Sequence, residues 1–131
     1  MSVENVEIVR RTYEALSRGD VDAGMEICDP EVVCRLPEGG VTGNLRGHRA
    51  LRSLVEGYID AFESFRIEPE EFLDAGDQVV AIFRITARGR GSVLRVDVRP
   101  AHVWTIARGK AVAIQVFPER EHGAALKAAG L

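Results

Sequence analysis

The spacing of apolar residues changes once along this chain, near Ser64, and this change limits the possible folds more than any other feature. Before Ser64 most apolar residues recur three or four positions apart, which predicts amphipathic helices. After Ser64 they alternate with polar residues, which predicts strands. A block of helices followed by a block of strands is typical of an α+β fold, so we expect helices on one face of an antiparallel sheet and no parallel crossovers.

Three helices are predicted in the first half of the chain. The first covers residues 3–18 and stops at Gly19, and the second covers 21–28 with Asp20 as its cap. The third begins after Gly47 and has the broadest apolar stripe. Its members are Leu51, Leu54, Val55, Tyr58, Ile59 and Phe62.

The remaining segments are predicted from alternation and turn residues. One early strand, 32–36, separates helices two and three, and an extended loop over 37–47 is placed to cover a pocket. A strand that begins near Phe65 is interrupted at Pro69. Further strands are predicted over 78–88, 93–107 and 111–117, and a short helix over 119–129 ends the chain.

Length and charge exclude several classes of protein. The 131 residues contain no repeat or linker, so we expect a single domain over 1–131. Its 17 basic and 20 acidic residues are interspersed and leave no basic stripe, which argues against a nucleic-acid partner. No apolar run approaches the ~20 residues of a membrane span, so no membrane partner is expected.

The sequence also lacks the usual signs of export, metal binding and cofactor binding. No signal peptide is visible at the N-terminus, so the expected location is the cytoplasm, where Cys28 and Cys34 would stay unpaired. No His, Cys, Asp or Glu cluster has metal-site spacing, and no glycine-rich turn is placed to hold phosphate. We therefore expect a protein that works without a metal or a cofactor.

Several short segments, taken in order, resemble one known family. They are Val9-Arg10-Arg11-Thr12-Tyr13-Glu14-Ala15-Leu16 with Gly19-Asp20, then Gly47, Ala101-His102-Val103-Trp104-Thr105 and Gly109-Lys110-Ala111-Val112. In this order the chain resembles the SnoaL-like branch of the nuclear transport factor 2 superfamily, which also includes the ketosteroid isomerases. The resemblance implies a cone-shaped, cystatin-like fold with three helices in the concave face of a strongly bent sheet. It also implies a deep pocket and a homodimer.

The isomerase site of that superfamily is not matched by this sequence. Alignment places the family's first-helix tyrosine at Thr12, its carboxylate base near Arg35 and its second acidic donor at Ala101. Tyr13 lies one residue away, about 100° around a helix, so it does not simply replace the missing tyrosine. Since the scaffold also supports dehydratases, cyclases, hydrolases and non-catalytic proteins, the resemblance does not specify a reaction.

One charged strand contains the candidate catalytic residues. Asp97 and Arg99 alternate with apolar neighbours, so one face of this strand is charged, and either face could line the pocket. Pro100 has no backbone N–H and predicts a bulge, which would bring His102 onto the same face as Asp97. The two would then form a general base with its orienting carboxylate. A solvated charged face and a packed histidine are the alternatives.

Arg99 on the charged strand and four further residues are candidate ligand contacts. Trp104 and Tyr58 each fit either a core position or a ligand contact, because both combine an apolar ring with one polar atom. Arg35 lies in an otherwise apolar strand and either faces an acidic ligand or points to solvent. Tyr13, on the buried stripe of helix one, completes the set.

Two functions are compatible with these sequence features. One is a cofactor-independent isomerase, cyclase, dehydratase or hydrolase acting on a small apolar metabolite, with Asp97, His102 or Tyr58 as its acid or base. The other is a non-catalytic ligand-binding or dimerisation module of the same fold. A homodimer is expected in either case, because apolar strand residues exceed what three helices can cover. These residues are Leu94, Val96, Val112, Ile114 and Val116.

Overall fold

The helices begin and end close to the predicted residues, for local reasons that the structure shows. The carboxylate of Asp20 accepts a hydrogen bond from the backbone N–H of Ala23 at 3.0 Å, and so caps the second helix. Gly19 and Gly47 have φ angles of +73° and +90°, a region that favours glycine over residues with a Cβ atom. These glycines separate the three helices of the first half.

The computed structural model describes residues 2–36, 44–91 and 93–131. The helices are α1 (Ser2–Ser17), α2 (Val21–Ile27), α3 (His48–Ala61) and α4 (His122–Ala128). The strands are β1 (Cys28–Arg35), β2 (Asn44–Arg46), β3 (Phe62–Ala75), β4 (Gln78–Gly89), β5 (Arg95–Val98), β6 (Ala101–Ala107) and β7 (Lys110–Phe117). Of the predicted loop 37–47, residues 37–43 lie outside the described residues, and 44–46 form β2.

The strands form one strongly bent sheet in the order β2-β1-β7-β6-β4-β3, with β5 also paired to β4. All pairs are antiparallel except β1 with β7, which is parallel. The expectation of no parallel pairing was therefore wrong at this one place. The reason is that β1 precedes α3, so hairpin connections do not set its direction relative to β7. The α+β cone is otherwise confirmed.

The bulge predicted at Pro100 is absent, and this prediction was wrong. Ile82 pairs with Ala101, and Ile85 pairs with Val98, so two residues separate these positions on each strand. Pro100 lies between β5 and β6, where its carbonyl accepts from the N–H of Phe83 at 3.2 Å. Because no residue is inserted, the alternation of faces continues unchanged from β5 into β6.

A register shift occurs instead beside the other strand proline, on β3. Pro69 pairs with Phe83, whereas Glu71 pairs with Ile82, so β3 has one extra residue here. A bulge increases the local bend of a strand. The bend of this part of the sheet is therefore associated with Pro69.

The two faces of the sheet are covered by different helices. The concave face packs against α1, α2 and α3 around buried residues such as Tyr13, Leu51 and Phe83. On the opposite face, α4 contributes Ala125, which packs with three strand residues. These are Val80, Ala101 and Val103. The main core therefore lies inside the cone, and a smaller one lies under α4.

The apolar residues used to predict a homodimer are mostly not on the outer surface. Val96, Ile114 and Val116 face the inside of the cone, Leu94 is exposed, and Val112 is half-buried. The prediction of an outer apolar surface was wrong for the three that face inward, because the concave face continues along β5 and β7. The homodimer and the cytoplasmic location stay predictions. Within the described residues, no helix is long and apolar enough to cross a membrane.

Candidate functional site

The candidate site is a cavity of about 380 Å³ between the helices α1–α3 and the concave face of the sheet. This volume lies within the range of small-molecule sites in proteins. The helices contribute Thr12, Leu16, Gly24, Met25, Leu51, Leu54, Val55 and Tyr58 to its wall. The rest of the wall is Cys28, Cys34, Leu36, Phe62, Phe65, Ile67, Phe83, Ile85, Ala87, Val96, Val98, Pro100, His102, Trp104, Ile114 and Val116.

No Asp, Glu, Lys or Arg is among the described residues that line this cavity. An unpaired charge is costly in such surroundings, because neither water nor a counter-ion compensates for its lost hydration. The wall therefore suits an uncharged ligand. Its polar groups are few, and the most deeply placed ones belong to a single network.

That network joins Tyr13 on α1 to His102 and Trp104 on β6. The indole Nε1–H of Trp104 donates to the hydroxyl oxygen of Tyr13 at 2.9 Å. The same hydroxyl lies 2.8 Å from Nδ1 of His102. Tyr13 is completely buried and does not line the cavity, whereas His102 and Trp104 do. Tyr13 therefore contacts the site only through its two partners.

The network favours one tautomer of His102. The buried Tyr13 hydroxyl has no acceptor other than Nδ1 of His102 among the described residues, so we infer that it donates its hydrogen there and that Nδ1 is unprotonated. A neutral imidazole that accepts at Nδ1 carries its hydrogen on Nε2. Nε2 has no hydrogen-bond partner within the described part of the chain, and it is not sealed from the cavity. His102 therefore presents an N–H donor to the cavity.

Burial keeps both ring systems uncharged. It lowers the pKa of His102 from 6.5 to about 3, because the imidazolium loses its hydration inside the cone. Burial also raises the pKa of Tyr13 well above its usual value, although the hydrogen bond from Trp104 opposes this shift. Near neutral pH, the hydrogen bonds from Trp104 to Tyr13 and from Tyr13 to His102 therefore join uncharged groups.

Aromatic packing holds the imidazole in place. The ring centroids of His102 and Phe83 are 4.3 Å apart, and the Tyr13 ring lies nearly parallel to the imidazole at 5.9 Å. The Trp104 ring meets the Tyr13 ring edge-on at 5.7 Å. With its ring packed and Nδ1 hydrogen-bonded, His102 has a defined orientation for Nε2.

The predicted pairing of Asp97 with His102 was wrong. Asp97 lies on the outer face of the sheet, where Arg84 donates two hydrogen bonds to its carboxylate at 2.9 and 2.8 Å. Hydrogen bonding to Arg84 lowers the pKa of Asp97, although partial desolvation of the carboxylate opposes this shift. The cause of the error is the missing bulge at Pro100, which leaves positions 97 and 102 on opposite faces.

Two candidate arginines also lie outside the cavity. Arg99 shares the outer face with Asp97, and its Nε donates to Glu70 at 3.0 Å. Arg35 is exposed, on the opposite side of β1 from the cavity residue Cys34. The charged strand face is therefore solvated, as the simpler interpretation expected. Tyr58, Trp104 and His102 are the predicted site residues that line the cavity.

Three polar residues of the wall were not predicted from the sequence. Thr12 lines the cavity, but its hydroxyl donates to the Ile8 carbonyl at 3.1 Å within α1. Cys28 and Cys34 are unpaired, as predicted, and both line the cavity. Burial raises the pKa of each thiol to about 11, so both stay protonated. Alternation along β1 places Cys34 on the same face as Val32, and this signal could have identified it.

We place the mouth of the cavity between α3 and β5, because each contributes one exposed lining residue. Among the large apolar lining residues, Tyr58 and Val98 are exposed, with 49% and 40% of their surface accessible. The Tyr58 hydroxyl makes no hydrogen bond within the described residues, so it is available at this mouth. His102 lies in the interior, and Tyr58 lies at the entrance.

Comparison with known proteins relates the chain to one family. Residues 9–114 match the model of the SnoaL-like domain. The Mycobacterium tuberculosis protein Rv0034 is 29% identical over 116 residues, which cover 86% of this chain and 87% of that protein. These matches span most of the cone described above.

Solved structures show the same fold. A candidate SnoaL-like polyketide cyclase from Jannaschia is 21% identical, with a TM-score of 0.79 over 98% of this chain and 92% of its own. TerC, co-crystallised with polyporic acid, is also 21% identical, with a TM-score of 0.77 over 98% and 99%. At such identities these two structures establish the fold and not the activity.

Proposed function

Since this chain belongs to the SnoaL-like domain family, we propose that its cavity binds a small, uncharged and largely apolar molecule through one hydrogen bond from His102. The observation that carries the proposal is the hydrogen bond between Tyr13 and Nδ1 of His102, which favours a neutral Nε2–H donor, in a wall with no charged side chain among its described residues. The matching partner is a ligand oxygen, such as a carbonyl, on an apolar framework.

The apolar wall supplies the affinity in this proposal. Burial of apolar ligand surface contributes roughly 25 cal/mol per Å². A charged ligand group would lose its hydration without a compensating side chain in the wall. The same wall therefore selects against ions and for neutral molecules. TerC, which has this fold, was crystallised with an organic small molecule.

The hydrogen bond supplies orientation. A hydrocarbon surface would bury the Nε2–H without a partner, at a cost of about 1–3 kcal/mol, so a ligand oxygen that accepts from it is favoured. Tyr13 and Trp104 hold the donor in one tautomer before the ligand arrives. Pre-organisation of this kind reduces the entropy lost on binding.

Acid–base catalysis has less support from the geometry. A base must accept a proton, but Nδ1 of His102 already accepts from Tyr13, and Nε2 carries hydrogen. Asp97 is on the outer face, paired with Arg84. What His102 can do chemically is polarise an oxygen that it contacts. Ligand binding is therefore the function that the site supports best.

A matched pair of probes tests this function. Equilibrium dialysis measures the affinities for 2-acetylnaphthalene, a neutral ketone, and 2-ethylnaphthalene, which lacks its oxygen. Both should bind the wild-type protein. In His102→Phe, the ratio of ketone to hydrocarbon affinity should fall by about three- to tenfold, because one net hydrogen bond is lost. Asp97→Asn, outside the cavity, should leave the ratio unchanged.

Two results would contradict the proposal. One is failure of both probes to bind the wild-type protein. The other is an affinity ratio that is the same in the wild type and in His102→Phe, with both proteins folded by circular dichroism. An equal fall of the ratio in Asp97→Asn would mean that the effect does not come from the cavity.

A further inference from the structure

Exposed apolar side chains are concentrated near the mouth of the cavity. Six large apolar side chains are exposed in the described part of the chain; two of them line the cavity, and two more lie just before β5. These four are Tyr58, Val93, Leu94 and Val98. The other two, Val3 and Leu131, lie at the chain ends. Val93 is 98% exposed, so its side chain projects from the surface almost without contacts.

The segment that carries Val93 and Leu94 is joined to the mouth by one backbone and one side-chain hydrogen bond. The Leu94 carbonyl accepts from the N–H of Gly89 at 3.0 Å, and Gly89 pairs with the cavity residue Phe62. Arg90 donates from Nε to the carbonyl of Asp60, in the last turn of α3, at 2.9 Å. The projecting side chains and the mouth therefore form one edge of the molecule.

This edge also carries two arginines that have no acidic partner among the described residues. Arg88 and Arg95 are directly opposite each other on β4 and β5, and neither forms an ion pair with another described residue. Like charges in this position repel. Both line a shallow surface depression with Glu63, Gly91 and Val93. Glu63 is the acidic residue among the described residues of that depression, so with two arginines the depression has a net positive charge.

We propose that this edge docks on an anionic lipid surface, with Val93 and Leu94 inserted among the lipids and Arg88 and Arg95 against their phosphates. Projecting apolar side chains beside arginines are typical of interfacial membrane contact. Such contact is peripheral and needs no spanning helix. A protein partner is less well matched, because a stable interface buries about 800 Å² per side, whereas these side chains project at an edge.

Docking in this position would place the mouth at the lipid surface. Apolar molecules that dissolve poorly in water partition into lipid, and they could pass between the bilayer and the cavity without crossing water. This transfer rests on the proposed function of the cavity. The docking itself does not, because it depends on different residues.

Co-sedimentation with lipid vesicles tests the docking. The wild-type protein should pellet with vesicles of phosphatidylglycerol and phosphatidylcholine, and much less with phosphatidylcholine alone or at high salt. Both Arg88→Gln/Arg95→Gln and Val93→Ser/Leu94→Ser should weaken partitioning by about tenfold or more. The matched control is Val3→Ser/Leu131→Ser, which removes two exposed apolar side chains elsewhere and should bind like the wild type.

Several results would overturn the docking proposal. They are equal binding to neutral and anionic vesicles, unchanged binding of both test variants, or an equal loss in the control. Light scattering that shows Val93→Ser/Leu94→Ser dissociating a dimer would also overturn it, because a second copy would then be the occupant of this edge.

Dialysis without vesicles separates this proposal from the proposed function. Val93→Ser/Leu94→Ser should keep the wild-type ratio of ketone to hydrocarbon affinity while it loses vesicle binding. Absence of vesicle binding with an intact probe ratio in the wild type would refute the docking alone. Vesicle binding without probe binding would refute the ligand function and the transfer step, and leave the docking supported.

Discussion

Tyr13 is completely buried, and both hydrogen-bonding capacities of its hydroxyl are used in the network. The oxygen accepts from Trp104, and the hydrogen is donated to His102. Removing this one oxygen leaves a buried indole N–H and an imidazole nitrogen without their partner. Tyr13 therefore stabilises the fold and, in the proposed function, positions the donor on His102 without lining the cavity itself.

Replacing Tyr13 with Phe should reduce the free energy of unfolding by about 2–4 kcal/mol, because two buried groups lose a partner. The ratio of ketone to hydrocarbon affinity should also fall, since His102 no longer has a preferred tautomer. Urea unfolding and equilibrium dialysis measure the two effects. Tyr58→Phe is the matched control, because its hydroxyl has no partner among the described residues, and it should change stability by less than about 0.5 kcal/mol. A Tyr13→Phe protein with wild-type stability would contradict this role.

At the scale of strands and helices, the sequence predicts the elements well, because each depends on local spacing. The apolar stripe of α3 and the alternation in β4 are examples. The alternation in residues 94–98 also predicts that one face is apolar and the other charged. It does not predict which face lines the cavity, because that depends on where each strand pairs within the sheet.

The candidate site was only partly predictable for the same reason. His102, Trp104 and Tyr58 were identified from residue type, and all three line the cavity. The predicted pairing of Asp97 with His102 was wrong because Pro100 does not require a bulge. Pro100 lies between β5 and β6, where its missing N–H interrupts neither strand. The bulge occurs instead near Pro69 on β3. The hydrogen bonds of Tyr13 join residues 89 and 91 positions apart, a distance that local patterns do not encode.

The helix α4 offers a test of the two separate cores. Ala125 is fully buried beneath it, on the side of the sheet that faces away from the cavity. Ala125→Asp should lower the free energy of unfolding by about 3 kcal/mol or more, because a carboxylate is buried without a partner. The ratio of probe affinities should stay at the wild-type value. A changed ratio in the folded variant would mean that the two sides of the sheet are coupled.

At the scale of the whole molecule, charge and apolar surface are separated by the sheet. Arg84, Asp97, Arg99 and Glu70 form ion pairs on its outer face, and no charged residue lines the described wall within. Exposed ion pairs contribute little to stability, so the outer face mainly keeps that side hydrated. The concave face is left for the proposed ligand. The exposed apolar edge near Val93 lies where the charged outer face meets the apolar concave face.

The central claim is that a neutral His102 presents Nε2–H to an uncharged ligand. The most direct test is nitrogen-15 NMR of the imidazole groups, with the His102 signal assigned by its loss in His102→Phe. Because burial lowers the pKa of His102 to about 3, the ring should remain neutral from pH 7 to pH 5. The unfolded chain takes up a proton below about pH 6.5, so stability should also fall as the pH drops through this range.

We predict a hydrogen on Nε2 throughout that pH range. Binding of 2-acetylnaphthalene should shift the Nε2 signal, and binding of 2-ethylnaphthalene should not. A ring protonated at pH 5, a hydrogen on Nδ1, or equal shifts with both probes would contradict the claim.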